Sequence, residues 1–356
     1  MKICTVVGAR PQFIKAAVVS HELRKVANEI LIHTGQHYDY NMSDMFFEEL
    51  SIPHPDYNLG IAGGTHAEMT AKMLVALEKT FLQESPDWVL VYGDTNSTLA
   101  ASLSASKLHI PLCHVEAGAR THELTNPEEI NRLCTDHIST KLFACTENSL
   151  HELQKENLGD RAVLVGDPMY DAFLQYSKIK KINEIVLQTL DGNKISVPEK
   201  YYYLTCHREE NTNKENALYE IFKAMNALSF QTIYPVHPRN KKRAFDLQKK
   251  FSFKNILLVE PVGYLESTAL VLHAEKIVTD SGGLQREAFF AKKQCVTVLD
   301  FEVWPETMIG NMNALAKPIA KDITEKLSRA VVLPDENYAP FGNGSASKNI
   351  VQAICS

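Results

Sequence analysis

A chain of 356 residues, 45% hydrophobic and 22% charged, is long enough for two domains, each with its own core. Its formal charge of −6 gives no reason to expect nucleic acid as a partner, and no apolar run is long enough to span a bilayer. Seven cysteines (4, 113, 134, 145, 206, 295 and 355) are dispersed without a C-x-x-C pair; they read as reduced core thiols of a cytoplasmic protein and indicate no metal site.

Residues 2–7 form a compact apolar strand, with no signal peptide ahead of it. Gly8-Ala9-Arg10-Pro11 breaks the strand, and residues 13–26 carry a helical apolar pattern. Pro11 suits a first helical turn, where its missing N–H costs nothing. Arg10 and Lys15 flank that turn and put two cations at a strand's carboxyl end, where open α/β sheets collect ligands. The plain alternative for Lys15 is a solvated helix residue. A second strand, 29–33, leads into the polar turn 34–39; a helix over 41–50, a loop over 56–64 and a helix over 65–81 follow. Trp88 to Tyr92 is a strand, with Gly93-Asp94-Thr95-Asn96-Ser97 between it and a helix ending at Lys107.

The next strand, 111–115, runs out into Glu116-Ala117-Gly118-Ala119-Arg120. Pro127-Glu128-Glu129 is good helix-start chemistry, so these acids can simply compensate a helix dipole. Asp94 and Glu116 emerging from neighbouring strand ends favour a chemical role for Glu128 as well. Strands at 142–145 and 163–165 close this half, and Gly166-Asp167-Pro168 marks the crossing to the next. After a polar stretch, 178–200, the alternation restarts with strands at 201–205, 232–236, 256–259, 276–279 and 296–299 and a helix over 217–228. His207 and Arg208 follow the first of these strands, and His237 ends the second. Asp280 and Ser281 can cap a helix over 284–291, and Ser281-Gly282-Gly283 offers free N–H groups suited to a diphosphate. Strand–helix alternation in both halves implies an α/β protein of two doubly wound parallel-sheet domains with a cleft between them.

Taken together the loops resemble a family. Gly8 to Lys15, Thr34-Gly35-Gln36-His37, Gly93 to Ser97, His114-Val115-Glu116-Ala117-Gly118, Pro127 to Arg132, Thr205 to Asn211 and Thr279 to Glu287 occur in the order found in the non-hydrolysing UDP-N-acetylglucosamine 2-epimerases. The resemblance runs over nearly the whole chain. It implies a GT-B-like fold of two Rossmann-like domains: 1–167 with the acid–base groups and a homodimer interface, 168–340 binding UDP, and 341–356 packing back on the first. The opening Gly-Ala-Arg-Pro-Gln-Phe-Ile-Lys is more similar to the branch acting on UDP-2,3-diacetamido-2,3-dideoxyglucuronate.

The implied chemistry expels UDP from C1 while a base removes the C2 proton, giving a 2-acetamidoglycal to which UDP adds back. It uses neither cofactor nor metal. Asp94, Glu116 and Glu128 match the family's functional carboxylates, with Asp94 and Glu116 as the proton-transfer pair. His207 joins the catalytic groups against the diphosphate, which Arg10, Lys15, Ser281, Gly282 and Gly283 clamp. Glu287 takes the ribose hydroxyls, and Arg132 organises carboxylates or diphosphate. Three departures stand out. Residues 299–306, Leu-Asp-Phe-Glu-Val-Trp-Pro-Glu, replace an Arg-Asp-x-Thr-Glu segment. Ser267 replaces a larger apolar residue near the uracil, and Tyr38 and Ser43 occupy the region of an activating second nucleotide-sugar site, so no such activation is expected. A GT-B glycosyltransferase, a hydrolysing epimerase and a non-catalytic nucleotide-sugar sensor stay open as alternatives.

Overall fold

The computed structural model describes residues 1–36, 44–213 and 215–356. They divide into two units, Met1–Leu174 with Ala339–Ser356, and Gln175–Tyr338. His37, Tyr38, Asp39 and Ser43, and with them the end of the expected turn and the activating region, lie outside the described residues.

In the first unit the elements are β1 (Lys2–Val7), α1 (Arg10–Leu23), β2 (Asn28–His33), α2 (Asp44–Glu49), β3 (Tyr57–Asn58), α3 (His66–Glu84), β4 (Trp88–Tyr92), α4 (Asn96–Lys107), β5 (Leu112–Ala117), α5 (Pro127–Ile138), β6 (Lys141–Ala144), α6 (Glu147–Lys155), β7 (Ala162–Leu164) and α7 (Pro168–Tyr176). The strands pair in parallel in the order β3-β2-β1-β4-β5-β6-β7. Strands buried on both faces read as continuous apolar runs, as β4 does and β1 does apart from Lys2 and Thr5, whereas β5 buries His114 and Glu116 among its apolar residues. Met73, Leu77 and Phe81 of α3 and Ala100, Ala101 and Ala105 of α4 form part of the core beside the sheet. Small residues let α4 approach closely, and Ser104 Oγ donates to the Leu74 carbonyl at 3.0 Å. Thr65 caps α3 and accepts the Glu68 N–H at 3.2 Å.

Chain order along this sheet reverses between β1 and β4, a topological switch point, where the loops carrying Arg10 and Asp94 diverge. Part of the stretch expected to be loop, 56–64, is instead the edge strand β3, which pairs Tyr57 with Ile32. The fifth strand runs past Val115 through Glu116, with a register shift there.

The second unit contains β8 (Val186–Gln188), β9 (Lys194–Ser196), β10 (Tyr201–Thr205), α8 (Glu209–Thr212), α9 (Glu215–Asn226), β11 (Gln231–Pro235), α10 (Lys241–Phe251), β12 (Ile256–Val259), α11 (Tyr264–His273), β13 (Lys276–Thr279), α12 (Gly282–Phe290), β14 (Gln294–Thr297), β15 (Asn313–Leu315) and α13 (Ala320–Ser328). Its sheet order, β12-β11-β10-β13-β14-β15, repeats the first topology, with the switch between β10 and β13. Phe222, Tyr234 and Val278 belong to one apolar cluster; Ile233, Leu270 and Ala288 belong to another. The polar stretch 178–200 contains the antiparallel β8–β9 hairpin.

The chain crosses into this unit within α7, after Leu174, and returns at Ala339. The last helix, α14 (Ala346–Cys355), belongs to the first unit, where Asp171 accepts the Ser347 N–H and Oγ–H at 2.8 and 2.7 Å. Among the described residues no helix is long and apolar enough to cross a membrane.

Candidate active site

At the first switch point the loops after β1, β2 and β4 interlock. Gln12 accepts the Gly8 N–H at 2.7 Å and donates to the Tyr92 carbonyl at 2.7 Å, tying the start of α1 to the end of β4. Thr34 and Ser97 hydroxyls meet at 2.8 Å over Gly8. A Cβ on Gly8 would lie 2.2 Å from Ser97 Oγ and 2.3 Å from Thr34 Oγ1, so only glycine fits there. Arg10, half-buried at the first turn of α1, stacks its guanidinium 4.7 Å above the Phe46 ring.

Lys15 is not a solvated helix residue. It is 2% exposed, and its ammonium is paired with Glu116. Glu116 sits in the β5 bulge at φ 73°, a left-handed conformation that costs energy for a residue with a Cβ. Next to the pair, a Cβ on Gly93 would lie 3.6 Å from Lys15 Nζ and 3.7 Å from Glu116 Oε1. Glu116, Cys145 and Asp167 bring ligand-type atoms within 4.8 Å of one another, but an ammonium already occupies Glu116. Five of the seven cysteines are buried core thiols, and burial pushes those of Cys4 and Cys295 up to about 12, but Cys134 and Cys355, on helices rather than in the sheet, are exposed.

Asp94 follows Gly93. Its carboxylate lies 2.6 Å from Arg132 Nη2, and its carbonyl accepts the Asn131 side-chain N–H at 2.8 Å. Although burial works to lower it, Asp94, Glu129 and Glu116 together hold the buried Arg132 guanidinium above its ordinary pKa. Arg132 thus brings Asp94 and Glu116 into one electrostatic group.

The acids that open α5 part company. Glu129 is buried and accepts the Thr121 and His122 N–H groups at 3.0 and 3.1 Å and Arg132 Nη1 at 2.8 Å. These bonds outweigh its burial and hold its carboxyl below the usual range. Glu128 is half-buried, and among the described residues its carboxylate has neither hydrogen bond nor ion pair.

In the second unit Ser281 alone caps α12, its Oγ accepting the Leu284 N–H at 3.4 Å, and the helix starts at Gly282 rather than Leu284. The two glycines are therefore its first turn, where N–H groups lack intrahelical partners. Asp280, expected to help cap it, turns the other way. Its carboxylate accepts the His207 N–H at 3.0 Å and the Arg208 N–H at 2.9 Å, and lies 3.3 Å from His207 Nδ1. Asp280 thereby holds the loop after β10 to the end of β13, leaving the His207 side chain 44% exposed. Glu287 is buried on α12.

The altered segment 299–306 supplies aromatic rings: Arg208 stands 5.3 Å from the Phe301 ring and Arg286 4.1 Å from the Trp304 ring. Ser267 is buried and shares a 3.1 Å hydrogen bond with Tyr203. Sequence reasoning missed Asp280 and Glu129 as organisers: Asp280 accepts loop N–H groups remote in sequence, and Glu129 accepts those of the irregular loop just before its own helix, which carries no periodic pattern.

A family model described as UDP-N-acetylglucosamine 2-epimerase matches residues 21–355. A Methanococcus maripaludis protein named UDP-N-acetylglucosamine 2-epimerase homolog is 45% identical over 360 residues, 99% of each chain. A Pseudomonas aeruginosa UDP-2,3-diacetamido-2,3-dideoxy-D-glucuronate 2-epimerase is 42% identical over 364 residues, again 99% of each. The crystal structure of Methanocaldococcus jannaschii UDP-GlcNAc 2-epimerase in complex with UDP-GlcNAc and UDP superposes with a TM-score of 0.89 at 39% identity, covering 100% of this chain and 99% of that one. The fold is GT-B-like.

Proposed function

The chain belongs to the UDP-N-acetylglucosamine 2-epimerase family, and on that premise we propose that it inverts C2 of a UDP-2-acetamido sugar without hydrolysing it. The substrate class is what the relatives' named substrates share, a UDP leaving group at C1 and an acetamido group at C2. The observation that carries the reading is the pairing at adjacent strand ends. Asp94 is held by Arg132 and Glu116 by Lys15, with a strained bulge carrying the second carboxylate.

No carbonyl acidifies the C2 hydrogen of such a sugar, so its removal has to be coupled to loss of the leaving group. One of Asp94 and Glu116 takes the C2 proton, the C1–O bond breaks, and its electron pair leaves on UDP. A 2-acetamidoglycal remains. The other group delivers a proton to C2 from the opposite face while UDP adds back at C1, with Glu128 assisting. Lys15, whose ammonium is paired with Glu116, holds that carboxylate in place from within the core. Arg10, His207, the capping Ser281 and the first-turn N–H groups of Gly282 and Gly283 stabilise the departing diphosphate and keep it bound, and Glu287 takes the ribose hydroxyls. The route consumes no nicotinamide and no metal. A cytoplasmic homodimer whose interface lies on the first unit completes the proposal, supported by the family resemblance and the dispersed free cysteines.

Proton NMR in deuterated water tests this. UDP-N-acetylglucosamine or its 2,3-diacetamidoglucuronate counterpart should acquire deuterium at C2 and a manno product with no cofactor added. Free sugar plus UDP would place the enzyme in the hydrolysing class instead.

A further inference from the structure

Behind the carboxylates lies a buried charged chain that the proposed chemistry does not use directly. His114, fully buried on β5, has Nδ1 2.6 Å from Asp136 Oδ1 and Nε2 2.7 Å from the Gly93 carbonyl oxygen. An ionised carboxylate and a carbonyl only accept, so both ring nitrogens donate. Asp136 also accepts Arg120 Nη1 at 2.7 Å and the Gly118 N–H at 3.1 Å, and Arg120 continues to Glu156 at 2.7 Å. Burial would push the Asp136 carboxyl up, but His114 and Arg120 hold it below the usual range. Glu156 meets His137 at 3.1 Å on the exposed side. Two buried cations thus balance two carboxylates, which makes so polar a cluster tolerable.

The anchors of this chain sit beside the proposed chemical groups. Gly93 precedes Asp94, Gly118 closes the bulge that carries Glu116, and Asp136 lies one helical turn beyond Arg132 on α5. We propose that His114 is a positioning residue: its ring, clamped between Asp136 and the Gly93 carbonyl, fixes the Asp94 turn against α5 and the Glu116 bulge, and so sets the geometry of the proton-transfer pair. This rests on the epimerase reading. A histidine that served the core alone would affect stability, leaving turnover of the folded protein unchanged.

The test uses variants that keep one bond each. The Gln amide of His114→Gln reaches where Nε2 stood and still donates to Gly93; the shorter amide of His114→Asn reaches Asp136 only. At a temperature where both are folded by circular dichroism, His114→Asn is expected to lose about 10²-fold in kcat, since small misplacements of reacting groups carry losses of that order. Its KM should stay within about threefold of wild type. His114→Gln should recover about tenfold of the loss. Nitrogen-15 NMR of histidine-labelled wild type should show both His114 ring nitrogens protonated, a pattern absent from Asp136→Asn. Equal kcat for the two variants, unchanged kcat in His114→Asn, or a singly protonated ring would each overturn the proposal with the epimerase reading intact. A wild type inert on every UDP-2-acetamido sugar would overturn both.

Discussion

Glu128 and Glu129 are adjacent acids at the start of one helix, yet the structure gives them opposite duties, and exchanging each for glutamine separates chemistry from scaffolding. Glu129 is buried with its oxygens on the Thr121 and His122 N–H groups and on Arg132. Glutamine keeps one acceptor oxygen but gives up the charge. Hydrogen bonds to charged groups contribute about 1.5–3 kcal/mol each, so losing that assistance should cost roughly 2–4 kcal/mol. For a unit of this size about 1 kcal/mol moves Tm by ~2–4 °C, which puts Glu129→Gln roughly 5–15 °C below wild type. Glu128 is half-buried and makes no side-chain bond among the described residues, so Glu128→Gln should unfold within about 2 °C of wild type. As an assisting acid–base group it should lose about 10²-fold or more in C2 deuterium wash-in. Differential scanning calorimetry and proton NMR on the same preparations decide it. A stable but inactive Glu129→Gln beside an unstable, fully active Glu128→Gln would refute the division.

Lys15→Met removes the ammonium paired with the buried Glu116; breaking such a pair costs about 3–5 kcal/mol, read by calorimetry, and wash-in should fall with it. Asp280→Ala should release the His207-Arg208 loop and weaken UDP binding by isothermal titration about tenfold or more, with little change in the melting of the first unit. Acid stability should follow the carboxyls of Glu129 and Asp136, which lie below their unfolded values of about 4.3 and 3.9. Groups depressed in this way stabilise the fold fully above about pH 5 and lose that contribution as pH falls through their native values. Asp136→Asn should therefore flatten the loss of Tm below about pH 5 while lowering it at pH 7.

How much of this could be read from residues alone follows from the range of the interactions. Buried parallel strands announce themselves as apolar runs, so β1, β4, β10 and β13 were legible to within a residue. β3 and the β8–β9 hairpin were not, because two or three residues paired at a sheet edge or in a hairpin leave no periodic signal. The loops with candidate roles were legible as motifs. Their wiring was not: Lys15 on Glu116 and Asp280 on the His207-Arg208 N–H groups join residues remote in sequence. Glu116 looked like the residue after a strand, and only the register shift shows it to be a bulge within one. Asp280 looked like a cap because capping is the commonest use of an acid ahead of a helix. Ser281 had already filled that position.

Elimination and re-addition of UDP is the central claim, and the most direct measurement is positional isotope exchange. A UDP-2-acetamido sugar labelled with oxygen-18 in the bridge between C1 and the β-phosphate would be incubated with enzyme and followed by phosphorus-31 NMR. Breaking the C1–O bond frees the phosphate to rotate, so the label should scramble into non-bridging positions during epimerisation, alongside deuterium entry at C2. Inversion at C2 with the label still wholly in the bridge would contradict the account.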